Sequence, residues 1–147
     1  MKTFFNELYD YNFYCNKKWI EICNNLESVP EISIGHFSHI LNAHHIWNSR
    51  ILSVPAELSV AQQHPIKEWG DLHYENQRRS FEIITNADDF EIRIDYDNAE
   101  GRLFITTLQD TLFHIINHST HLRGQMVMDF KNNKLEPLAM DYMHYKR

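Results

Sequence analysis

A chain of 147 residues that is 43% hydrophobic and 23% charged has enough apolar material for one packed domain, and too much for wholesale disorder. Fourteen basic against twenty acidic residues leave a net charge of −6, which argues against a nucleic-acid partner, and no apolar run approaches the ~20 residues of a membrane span. The stretch Met1–Glu7 turns polar at once with no signal-peptide core, and Cys15 and Cys23 cannot make a disulfide framework, so a cytoplasmic protein is expected. Four glycines exclude Gly-rich phosphate loops, and ten histidines are the unusual number.

Breakers are sparse, which favours long helices. From Thr3 to about Leu26 the residues Phe4, Leu8, Tyr11, Cys15, Trp19, Ile22 and Leu26 recur three and four apart, the stripe of an amphipathic helix that Ser28-Val29-Pro30 ends. A second helix is predicted from about Ser33 to Leu52, then a loop over Ser53–Pro65. A third helix runs from about Lys67 to Thr85, with Trp69, Leu72, Phe81 and Ile84 facing inward and Gln77-Arg78-Arg79 solvated. Beyond it the period changes to two: Phe90, Ile92, Ile94 and Tyr96, then Leu103 and Ile105, flank the turn Asp97–Gly101 and predict a short β-hairpin. A fourth helix fits Thr107 to about Lys131, stopped by Asn132-Asn133, and the aromatic tail Leu135–Arg147 packs on the rest. The expected fold is a single all-α domain over residues 1–147, an up-and-down antiparallel four-helix bundle with the hairpin between helices three and four.

The histidines fall into two groups. His36, His39, His44 and His45 lie on the second helix, and His114, His118 and His121 on the fourth, where offsets of four and three put three imidazoles on one face. An i, i+4 pair can converge on a divalent metal, and a bundle completes such a site from a facing helix, where His39 is the candidate. Buried, inert histidines give the same pattern. His44 and His45 point to different faces, so at most one joins a site, and His64, His73 and His144 have no visible partners and are taken as surface residues.

The run His114-x-x-x-His118-Ser119-Thr120-x-x-Arg123-Gly124-Gln125 resembles the fourth-helix signature of the DinB family. Tyr11-Asn12-x-x-x-Asn16, His39–Trp47-x-x-Arg50 and Pro137–Tyr145 are similar to its other motifs, in the same order along the chain. The resemblance implies a four-helix bundle, commonly a homodimer, in which one histidine from the second helix and two from the fourth hold a divalent metal such as zinc or nickel. Carried over, these ligands are His39 and His118, but the position four residues after His118 is Leu122. Three readings follow. His121 joins His118 at i, i+3; His114 joins it at i−4, moving the site by about 5.4 Å; or the third ligand is lost.

Two functions are therefore expected. One is a metal-dependent hydrolase or thiol S-transferase, in which the metal activates a low-molecular-weight thiol at an open coordination position and His39, His118 and either His121 or His114 hold it. The other is a non-catalytic dimeric stress-response or small-ligand-binding bundle that has lost its metal. Cys15, on the apolar stripe, is a core residue in either case.

Overall fold

The computed structural model describes residues 1–147. The chain is mostly helical, in the order α1 (Lys2–Asn25), α2 (Glu31–Leu52), α3 (Ile66–Asn86), β1 (Arg93–Asp97), β2 (Leu103–Thr107), α4 (Leu108–Asn132) and α5 (Tyr142–Lys146). Pro30 and Pro65 stand immediately before α2 and α3, where a missing N–H costs no helical hydrogen bond. α2 ends on Ser53 in the left-handed region (φ 55°), with Val54 N donating to Ser49 O. Thr107 is both the last residue of β2 and the N-cap of α4, its hydroxyl accepting from Asp110 N at 3.2 Å. Asn133 closes α4 as the sequence predicted.

α2 packs chiefly on α4 and α1 on α3, while α2–α3 and α1–α4 contacts close the ring. The strands pair antiparallel, with Arg93 opposite Thr107 and Asp97 opposite Leu103. Two apolar clusters hold the helices together. One gathers Phe5, Tyr9, Ile83, Ile84, Phe90, Leu108, Leu112 and Ile115; the other gathers Trp19, Phe37, Ile40, Leu41, Trp69, Leu122, Met126 and Phe130. Between them, at mid-height on every long helix, lies a buried polar layer: Asn12 and Asn16, His44 and Asn48, His73, Asn76, Gln77 and Ser80, Ser119 and Arg123.

That layer ties backbone to side chain across the helices. Asn48 Nδ2 donates to Asn76 O, Asn76 Nδ2 to Leu41 O, Gln77 Nε2 to Tyr9 O, and Tyr9 Oη to Leu112 O. Ser80 Oγ donates to Asn48 Oδ1 and is in turn met by His44 Nε2 at 2.7 Å, which fixes His44 as the Nε2–H tautomer. Arg123, fully buried, donates to Asn12 Oδ1 at 2.6 Å and Asn16 Oδ1 at 2.8 Å, with Thr120 Oγ1 at 3.2 Å. Its charge is met by neutral amide oxygens and by the Tyr11 ring, 5.8 Å away, rather than by a carboxylate.

Four sequence expectations need correction here. Phe5 is buried and Phe4 is exposed, because the inward face of α1 runs through Asn12 and Asn16, which an apolar pattern does not register. Gln77 is buried; only Arg78 of its run is exposed, paired with Glu75 and Glu82. His73 is buried against the ring of Phe13 at 5.1 Å. His64 is buried because its loop folds back on α2, with His64 Nε2 2.6 Å from Asn42 Oδ1, His64 N donating to Ser38 Oγ, and His64 O accepting from Trp69 Nε1. The tail does pack: Tyr11 Oη donates to Met140 O, and Tyr142 and Tyr145 close on the Tyr11 ring at 5.0 and 5.5 Å.

Candidate functional site

Along the seam between α2 and α4 the helices run antiparallel, so residues rising on one meet residues falling on the other. His36 sits among His121 and Asp129, His39 faces His118 with ring centroids 5.0 Å apart, and Trp47 meets His114 at 4.9 Å. His114 also stacks on His118 at 5.6 Å. The structure thus brings His39, His118 and His114 into one line, with His36 and His121 at its far end. His44 is on the inward face of α2, and His45 accepts from Glu57 N, so neither joins. His144 is exposed.

The loop after α2 orients the first of these rings. Asn42 Nδ2 donates to both Val60 O and Gln62 O, holding the loop over the helix, and His39 Nδ1 lies 3.3 Å from the same Val60 carbonyl. A carbonyl only accepts, so Nδ1 carries the proton and Nε2 keeps its lone pair. Nothing in the sequence signalled this latch, since it depends on how a thirteen-residue loop returns to the helix. His118 is half-buried, and its pKa is pushed down to about 4, first by burial and then by His39, His114 and His121; it is a neutral imidazole at pH 7. Burial lowers His114 as well, with Arg50 adding to it, and lowers His36 against the opposing pull of Asp129.

Leu122 decides what these rings can hold. It is 6% exposed and belongs to the apolar cluster with Phe37, Ile40 and Met126, one helical turn from His118. His121, one residue earlier, turns outward and accepts from Gln125 Nε2 at 3.2 Å. No three histidine, cysteine, aspartate or glutamate side chains converge on a point that would hold a metal ion. The donor set present does not fit a three-histidine centre. The thiols offer no substitute: Cys15 and Cys23 are free and buried, and burial raises both, Cys23 to about 12.

A model of the DinB family matches residues 1–147. The chain belongs to the DinB family. A comparison with curated proteins found no match. The motifs that carry the DinB resemblance meet in two places: the histidines along the α2–α4 seam, and Tyr11, Asn12, Asn16, Arg123 and Met140 around the buried guanidinium. In this DinB protein the second group is a structural joint between α1, α4 and the tail. No helix is long and apolar enough to cross a membrane.

Proposed function

We propose that this DinB protein is a small-ligand-binding bundle with a two-histidine centre, the four long helices forming an up-and-down antiparallel bundle that associates as a cytoplasmic homodimer. One observation carries the reading: the position four residues after His118 is a leucine packed in the core, while His121 is engaged by Gln125 and His114 by Trp47. His39 and His118 then act as paired hydrogen-bonding groups, His39 Nε2 accepting and His118 neutral, beside a groove of about 620 Å³ lined by His36, His121, Gln125 and Asp129.

A second reading is supported by the same pair. Two imidazoles 5.0 Å apart, one held by a carbonyl through its Nδ1–H, are how bundles present metal ligands, and a rotation of His114 or His121 toward them would serve a metal-dependent hydrolase or thiol S-transferase with zinc or nickel. Elemental analysis of the purified chain, with thermal melts in the presence of zinc and of nickel, separates the two. The expected result is metal well below one per chain and a melting temperature moved by no more than about 1 °C. Near-stoichiometric metal that disappears in His118→Ala would establish the second reading instead.

A further inference from the structure

At the end of the seam nearest the hairpin stands a cation that the fold has positioned and not neutralised. Arg50, on the last turn of α2, places its guanidinium carbon 4.4 Å from the centre of the Trp47 ring and 4.5 Å from that of Tyr96 on β1. Tyr96 reaches this point because the hairpin folds back against α2; its ring also meets Trp47 at 4.9 Å and stacks on Phe104 at 5.6 Å. Because the two rings also touch each other, both lie on one side of the guanidinium, and its N–H edge away from them is what remains for a partner.

That edge has no acceptor in the chain. The side chain makes no hydrogen bond and no ion pair, and its titratable neighbours are Tyr96 and His114, neither of them a carboxylate. Two of the other six arginines are instead paired with acids, in a chain of net charge −6. Arg78 holds two glutamates at 2.7 and 2.9 Å, and Arg93 holds Asp95 at 2.6 Å. With twenty acids available, none is set against Arg50. Beside it is His114, exposed and packed on Trp47, and beyond that the His118 ring.

We propose that Arg50, held against Trp47 and Tyr96, is a carboxylate-recognition subsite, receiving the carboxylate of a small organic monoanion on its N–H edge while the body of the ligand lies along His114 toward His118. A planar fork with five donors matches a carboxylate in two parallel hydrogen bonds. A single positive charge suits a monoanion better than a phosphate dianion, because no second cation stands beside Arg50. The proposal rests on the reading that this face takes a small ligand, and it names that ligand's chemical class.

Trp47 supplies the readout, since Trp19 and Trp69 are fully buried and Trp47 alone is partly open. The full chain is titrated with benzoate, benzamide and inorganic phosphate while tryptophan fluorescence is followed. Saturable binding of benzoate is expected, with benzamide at least about tenfold weaker and phosphate not saturating. Arg50→Gln should weaken benzoate at least about tenfold, and Arg50→Lys, which keeps charge without the fork, should recover only part of it. Circular dichroism of both variants confirms that they are folded. Benzamide or phosphate binding as well as benzoate, an absence of saturable benzoate binding, or full affinity in Arg50→Gln overturns the subsite. His39→Ala separates this proposal from its premise: if it leaves benzoate affinity unchanged while Arg50→Gln removes it, the carboxylate site stands and the ligand role of the His39–His118 end fails.

Discussion

The buried middle layer and the α2–α4 seam are built from the same kinds of residue, and they do opposite things. In the layer, His44, Asn48, Ser80, Asn12, Asn16 and Arg123 bond to one another and to helix carbonyls with almost no surface, and their unused atoms (Asn12 Nδ2, Asn16 Nδ2, His44 Nδ1, Arg123 Nε) are sealed from solvent. On the seam, His39, His118, His114 and Arg50 have rings or planes held in place but leave lone pairs or N–H groups facing outward. Polar type therefore says little about role. What separates a joint from a site here is whether solvent, and so a ligand, reaches the donors and acceptors.

The comparison is broken most severely by Arg123→Met. Two amide oxygens lose their donor inside the core, so a loss of about 3–5 kcal/mol is expected in urea denaturation. Next comes acid. His44 and His73 are neutral and buried, with pKa values pushed down to about 3 and about 4 by burial first. An unfolded histidine titrates near 6.5, so the stabilisation is full above that pH and is lost as pH falls through 6.5 toward 4. At pH 5.5 each imidazole costs about 1.4 kcal/mol, or about 3 together, measured against pH 7.5. His118 is half-exposed and adds less.

Leu122→His sharpens the comparison by moving a donor from one region to the other. Burying an imidazole in that cluster should cost about 2 kcal/mol without metal. It also restores an i, i+4 pair with His118 opposite His39, so zinc at about 100 times its dissociation constant should raise the melting temperature of the variant by about 5–10 °C, and the parent by far less. The smallest effect belongs to His39→Ala. Its ring is half-exposed and makes one long hydrogen bond, so stability should change by less than about 1 kcal/mol. A larger loss would place His39 with the structural layer.

The long helices, the hairpin and the Asn133 stop were legible because each depends on local periodicity and capping. The polar layer was not. Asparagine, glutamine and serine facing inward look like a solvated face in sequence, and only the arrival of a carbonyl from another helix, such as Leu41 O at Asn76, distinguishes them. The alignment of His39 with His118 follows from helix spacing and was readable, as was the break at Leu122. The Val60 latch and the Tyr96–Arg50 contact were not, because both depend on loops and strands returning across long stretches of chain.

The junction at Thr107 sets where this protein tolerates changes in length. β2 passes into α4 with no linker, and Leu108 N and Gln109 N donate back to Ile92 O and Phe90 O, so strand register and helix rotation are locked together. One residue inserted there would turn everything downstream by about 100° and carry His114, His118 and Leu122 to new faces at once. The turn at Asn98–Gly101, where Gly101 already takes φ 78°, has no such coupling. Insertions accumulating in this lineage should be confined to that tip, leaving the helix junction at constant length.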